Sequence, residues 1–322
     1  MHRSLTTATF AAAAIVLSVA PGCSSDNESN AGADPETTIV AGARAGAGAP
    51  VIEGAFNESP KITIGSADLA VGTKGVVIEG QGAVVSEGDQ VVAQMGAYTL
   101  EDTTALGESW ADRVPLLFEL GTDEVAADIA AALTGVNAGS RVWAVVPASD
   151  AGGDAGGNVL VVVDILSAYA PTASVEGTEI ASPTGYPVVT AEPGAKPAVA
   201  AATAPAPTVD QRFGLIVGTG TQVWDERIMV LQYVMTEWAT GTEVDSTWKS
   251  VGGPMFAPWG AGKLPARVDA QLRGVTAGSR VMVVIPPAAD GSDPWPTGLG
   301  LDKTKTYVVT VDVIDVVELG AA

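Results

Sequence analysis

One stretch of this chain occurs twice. Residues 132–147 read ALTGVNAGSRVWAVVP and residues 271–286 read QLRGVTAGSRVMVVIP, with ten of sixteen positions identical at an offset of 139. Self-similarity at that spacing means a duplicated structural unit, which limits the fold before any single element is assigned. Val125, Ile129 and Leu133 recur every four residues and predict one face of a short helix, with Gly135 where a C-terminal cap belongs. Leu264, Val268, Leu272 and Gly274 repeat the pattern, with Pro265 near the first turn, where a missing N–H costs nothing. Gly139 and Gly278 supply a tight turn, and Arg141–Val146 and Arg280–Ile285 are β-branched strand runs bounded by Pro147 and Pro286.

The chain opens as a targeting segment. His2 and Arg3 form a short polar start, and Ala8–Ala20 is an apolar run too short for a comfortable membrane span. Ala20-Pro-Gly-Cys23 resembles a bacterial lipobox, and Cys23 is the only cysteine. Residues 1–22 are therefore expected to be a lipoprotein signal peptide. Residues 23–57 read as the lipidated Cys23 plus a disordered tether, rich in Gly, Ala, Ser and acid. The expected location is the extracytoplasmic face of the cell membrane, with the lipid as anchor.

With 37 acidic against 16 basic residues the formal charge is −21, so no nucleic-acid partner is expected through bulk charge. The only histidine is His2, inside the signal segment. That removes Ser-His-Asp and Cys-His machinery and histidine-based metal sites, and no cofactor is expected; Gly218-Thr-Gly220 lacks the third glycine of a phosphate loop.

The first copy runs through Gly80-Gln-Gly82, the turn Glu87-Gly88-Asp89, a valine strand at 91–95, a polar excursion at 99–114, Pro115–Gly121, the helix, the repeated strand, and Val159–Leu166. The second follows at an offset of 138 to 139, from Gly218-Thr-Gly220 to Tyr307–Ile314. The expected domains are 58–170 and 184–317, joined by a linker at 171–183, with the Pro/Ala-rich residues 184–208 semi-extended at the second domain's edge. Each copy reads as α+β: about five strands in a curved antiparallel sheet wrapped around one short helix.

That order of elements resembles the FKBP-type peptidyl-prolyl cis-trans isomerases: Gly-x-Gly, a Gly-Asp turn, a valine strand, Pro-x-x-Phe-x-Leu-Gly, a short helix, Leu-x-Gly-x-x-x-Gly-x-Arg, a strand ending in Ile-Pro-Pro, and a final strand. The resemblance implies isomerisation of Xaa-Pro bonds in a shallow pocket, with proline-containing segments of exported proteins as partners. It places Tyr233 and Asp245 in the catalytic positions of the second domain, and Val244, Met255, Leu264, Pro265, Val268 and Val309 around the substrate. The family's loop tyrosine falls near Asp290 and is lost. In the first domain the matching positions are Met95, Leu106, Leu116, Val125, Ala126, Ile129 and Val161, an aliphatic set without the aspartate, with Glu108 standing beside the expected place. The same departures imply the alternative of a non-catalytic binding module, chaperone or scaffold.

The remaining chemistry-bearing residues have plainer readings. Trp110 and Trp248 occupy equivalent loop positions and should pack onto the sheet. Arg141 and Arg280 should pair with carboxylates, whereas Asp164 and Asp312, which interrupt the final strands, are expected to face solvent. Phe256 and Trp259 are expected in the core, on a strand.

Overall fold

The computed structural model describes residues 49–65, 68–151, 157–225, 227–248, 253–292, 295 and 299–318. Residues 1–48, which include the expected signal segment, Cys23 and most of the expected tether, lie outside them. The duplication read from the sequence is the architecture: two six-stranded antiparallel sheets, each with one short helix.

The first sheet has strands β3 (Lys74–Ile78), β4 (Gln90–Thr99), β5 (Ala105–Glu108), β6 (Leu116–Glu119), β7 (Arg141–Pro147) and β8 (Asn158–Tyr169), in the order β3-β7-β8-β4-β5, with β6 also paired to β4. Helix α1 (Ala127–Leu133) follows β6. The second sheet repeats this with β11 (Gln211–Ile216), β12 (Arg227–Glu237), β13 (Glu243–Ser246), β14 (Met255–Pro258), β15 (Ser279–Ile285) and β16 (Tyr307–Glu318), ordered β11-β15-β16-β12-β13, with β14 also on β12 and helix α2 (Ala266–Leu272) after β14. Even the β-bulges correspond, at Val92/Ala93 and Val230/Leu231. Six strands replace the expected five because the polar excursion at 99–114 contains β5.

The repeated Ala-Gly-Ser-Arg holds each domain together residue by residue. Gly139 and Gly278 adopt φ 88° and 82°, a left-handed turn that glycine enters without strain. The turn packs so tightly on Gly80 and Gly218 that a Cβ there would stand 2.2 and 2.1 Å from the carbonyl oxygens of Ala138 and Ala277. The serine hydroxyls then accept the N–H of those glycines, Ser140 at 2.8 Å and Ser279 at 2.9 Å. The arginines turn to the opposite face of the sheet.

There the expectation for Asp164 and Asp312 fails. Both are buried, at 0% and 1% exposure, and paired with Arg141 and Arg280. The period-two reading was right about direction: along β8, Val159, Val161 and Val163 join the helix-side core while Leu160, Val162 and Asp164 point the other way. What the alternation does not show is that the second face is covered. In the first domain the cover is residues 49–64, with strands β1 (Val51–Glu53) and β2 (Lys61–Thr63), whose Ile52 and Ile62 pack with Tyr98, Trp110, Trp143 and Val162. Val51–Glu53 therefore form a strand within the stretch read as tether.

In the second domain the cover is the stretch 184–208, which lies across the sheet face rather than at its edge. Strands β9 (Val189–Thr190) and β10 (Ala198–Val199) form there, and Tyr186, Val189, Val199 and Ala202 pack on Leu215, Trp238, Met282, Val284 and Val308. Tyr186 meets Phe213 and Trp238 edge-on, with ring centroids 5.1 and 4.9 Å apart. With both faces buried, near-continuous valine runs replace the simple alternation of a half-exposed sheet.

Candidate functional site

On the helix side of the second sheet a cavity of about 220 Å³ is lined by Tyr233, Met235, Asp245, Lys263, Leu264, Pro265, Val268, Trp295, Leu299 and Val309. The volume is far above the ~10–15 Å³ that admits one water and below the ~300–1,000 Å³ of drug-sized ligand sites. It suits a residue or two of extended peptide.

Each wall has a local cause. Tyr233 sits in mid β12, and β13 pairs Met235 with Asp245, which sets the carboxylate diagonally across from the tyrosine on one sheet face. The Tyr233 hydroxyl donates to Asp245 Oδ2 at 2.5 Å. Thr247 fixes the tyrosine backbone from both sides: its Oγ1 accepts the Tyr233 N–H at 2.9 Å, and its own N–H donates to the Tyr233 carbonyl at 3.1 Å. The neighbouring Ser246 hydroxyl also donates to that carbonyl. Asp245-Ser-Thr thus closes the end of β13, and the aspartate faces the cavity.

The opposite wall is aliphatic. Leu264 and Pro265 lead into α2, and Val268 lies one turn in at 1% exposure. Val309 on β16 completes that side. The fourth wall is Trp295, 5% exposed and edge-on to Tyr307 with centroids 5.3 Å apart.

Tyr233, Asp245, Leu264, Pro265, Val268 and Val309, read from four separate stretches of sequence, therefore meet around one cavity. Two others of the same set do not. Val244 is 37% exposed, because its neighbour Asp245 takes the inward position and strand alternation turns Val244 away. Met255 opens β14 and packs against the core without reaching the cavity wall. Trp295 was missed: the sequence places the loop aromatic near Asp290, and constant-offset matching cannot follow the long connection from Pro286 to Thr306. Its only sequence signal is an aromatic between prolines, Pro294-Trp295-Pro296. Met235, Lys263 and Leu299 were likewise not foreseen.

The electrostatics are simple. Burial, then the hydrogen bond to Asp245 and that group's charge, push the Tyr233 phenol well above its usual range, so it stays protonated at any physiological pH. Because its proton is engaged by Asp245, the phenol offers a ligand an acceptor oxygen.

The first domain lacks this arrangement. Val125, Ile129 and Val161 are buried core, Met95, Leu116 and Ala126 pack half-buried against it, and Leu106 is 46% exposed. Glu108 is no displaced counterpart of Asp245: it pairs with Gly96 and lies on the outer face, where it accepts from Tyr98 at 2.9 Å and Ser59 at 3.0 Å. A different hollow, about 340 Å³, opens between α1 and the turn after β6, lined by Glu87, Gly121, Asp123 and Val125 among others.

Trp110 and Trp248 do not behave alike. The Trp110 indole donates to Asp164 at 3.1 Å and stacks its ring 5.9 Å from the Arg141 guanidinium, whereas Trp248 makes neither contact among the described residues. Phe256 lies on β14, but Trp259 falls in the turn after it, packing on the core and donating to the Asp269 carbonyl at 3.1 Å.

The chain is similar to several solved structures, one of which is of FKBP domains. The three FKBP domains of wheat FKBP73 align at 14% identity and a TM-score of 0.28, over 76% of this chain and 94% of that one. FkpA from Escherichia coli aligns at 22% identity and 0.26, over 30% of this chain and 47% of FkpA, so the match spans about half of FkpA's length. A peptidyl-prolyl cis-trans isomerase from Pseudomonas syringae pv. tomato aligns at 17% and 0.28, over 34% of this chain and 76% of that one. No family model matches the sequence, and no curated protein does.

Proposed function

We propose that the second domain is an FKBP-type peptidyl-prolyl cis-trans isomerase, and that the protein assists the folding of exported proteins from a lipid anchor at Cys23. The observation that carries the reading is the convergence of Tyr233, Asp245, Leu264, Pro265, Val268 and Val309 on one small, mostly apolar cavity. Rotation about an Xaa-Pro bond faces a barrier of about 18–20 kcal/mol because it sacrifices amide resonance. The twisted imide is less polar than the planar one, so apolar walls that strip water from it favour the twisted state. That chemistry needs no nucleophile, metal or proton relay. Leu264, Val268, Trp295 and Val309 supply the dry walls; the Tyr233–Asp245 pair supplies a fixed acceptor edge that can orient the backbone N–H groups flanking the proline.

The anchor rests on the apolar run 8–20 followed by the sole cysteine, and the exported clients follow from that address.

The second reading is a binding module without catalysis. It is favoured by the aliphatic floor at Val268 and by the first domain, where the matching positions are core or exposed instead of gathered around one cavity. Two assays on the full chain separate them: cis-to-trans relaxation of a Leu-Pro peptide, and refolding of a client limited by proline isomerisation. Acceleration of the peptide supports the enzyme. An uncatalysed peptide rate with assisted refolding leaves only the binding module.

A further inference from the structure

The cavity of the second domain has one cationic residue in its lining, Lys263, and we propose that it makes the site select prolines flanked by an acidic residue. The inference rests on the cavity being the peptide site. Lys263 is placed by its loop rather than by a partner. Trp259 and Gly260 pin the loop to α2, the indole donating to the Asp269 carbonyl at 3.1 Å and the Gly260 N–H to Asp269 Oδ2 at 2.7 Å. Gly262, at φ 74°, then turns the chain back, so that Lys263 stands at the rim just before the buried Leu264.

The other cations of this domain that stand near the helix are committed. Arg267 is paired with Asp210 and donates to the Pro286 carbonyl, Arg280 is buried with Asp312, and Arg273 faces Asp225 and the rings of Trp224 and Trp259. Lys263 is exposed and makes no ion pair or hydrogen bond among the described residues, in a chain with 37 acidic and 16 basic residues. The one cation among the described lining residues of the pocket, in a protein this acidic, is a docking point for a carboxylate brought by the ligand.

The duplicated domain sharpens the point. At the offset of 139 the counterpart of Lys263 is Glu124, whose carboxylate folds back to accept the Glu119 N–H at 2.7 Å. The charge is reversed between the copies at this position: beside the second domain's cavity it is a cation, whereas in the first domain it is an anion next to a hollow lined by Glu87 and Asp123. The other charge in the cavity, Asp245, is held by the Tyr233 hydroxyl on the β13 side. The ligand carboxylate therefore seats towards the α2 loop.

The test uses the full chain and proline peptides with Glu, Gln or Lys before or after the proline. Both the isomerisation rate constant and the Kd by tryptophan fluorescence are read. For an exposed ion pair the expected preference of Glu over Gln is about 2- to 5-fold, fading as salt is raised. Lys263→Gln should abolish the preference and Lys263→Glu should reverse it in favour of Lys, each read as the ratio of the Glu, Gln and Lys peptides within one variant. If catalysis is blank for every peptide but the Kd ratios behave this way, the isomerase reading fails and the selectivity stands. Equal values for all three peptides, a preference that survives Lys263→Glu, or no binding at all overturns the proposal.

Discussion

Replacing Asp164 with alanine should unfold or loosen the first domain alone. Four donors converge on that carboxylate: Arg141 Nε at 2.7 Å and Nη2 at 2.6 Å, the Asn57 N–H at 2.8 Å and the Trp110 indole at 3.1 Å. Arg141 is itself fully buried, so truncation leaves an uncompensated charge, which typically costs about 3–5 kcal/mol. The orphaned Trp110 and Asn57 donors add up to about 1 kcal/mol each. The carbonyls of Gly54, Ala55 and Glu58 still accept from the guanidinium, which moderates the loss. An overall cost of about 4–5 kcal/mol follows, comparable with the whole stability of a small domain.

Two domains need not unfold together, so hydrogen exchange read by mass spectrometry in urea is the fitting assay, with peptides from β8 reporting the first domain and those from β16 serving as the internal reference. The double change Arg141→Met with Asp164→Leu removes both charges and should recover most of the loss. A cost below about 1 kcal/mol for Asp164→Ala would refute the reasoning, since it would mean that water reaches this face and residues 49–64 do not cover it. A double variant as unstable as the single one would equally refute the assignment of the loss to buried charge.

Further outcomes follow from the same structure. Gly218→Ala should destabilise the second domain by at least about 1–3 kcal/mol in the exchange assay, because its Cβ would stand 2.1 Å from the Ala277 carbonyl oxygen. Burial raises the Asp269 carboxyl above its usual value, only partly offset by the Gly260 N–H. The folded state therefore holds that proton longer than the unfolded state, and the group's contribution falls as pH rises from about 4 through the raised folded value. Asp269→Asn should gain on the wild type in urea midpoint from pH 4 to 7; a constant difference would contradict this. Trp295→Ala should raise the Kd for a Leu-Pro peptide about tenfold, the effect of removing an aromatic wall, and should also speed exchange at the Tyr307 end of β16, against which the indole packs.

The sequence made the duplication, the strand order and the helix ends legible because those depend on local rules. Gly135 and Gly274 end α1 and α2 at φ 81° and 76°, as their positions implied. Six of the eight site positions in the second domain converge for the same reason: once the order of elements is right, strand alternation and helix period fix which side chains face inward. The burial of Asp164 and Asp312 is not legible locally, because their cover comes from segments without strong signals; for Asp312 it is the connection at 171–175, whose Val175 N–H donates to the carboxylate at 3.3 Å. Stretches such as 49–64 and 184–208, rich in Gly, Ala and Pro, look like tether and spacer, and only their docking on a finished sheet gives them structure. Trp295 was hidden by loop length, and Lys263 by being an exposed residue with no local pattern at all.

The most direct test of the central claim is the isomerisation rate of a Leu-Pro peptide, measured by exchange NMR with catalytic amounts of the full chain, wild type against Asp245→Ala. Removal of the carboxylate frees the Tyr233 hydroxyl and deletes a charge-assisted hydrogen bond worth about 1.5–3 kcal/mol. The expected result is acceleration by the wild type and a loss of tenfold or more in the variant, with hydrogen exchange of the domain preserved. Equal acceleration by both proteins would contradict the claim, and so would a wild-type rate no faster than the peptide alone.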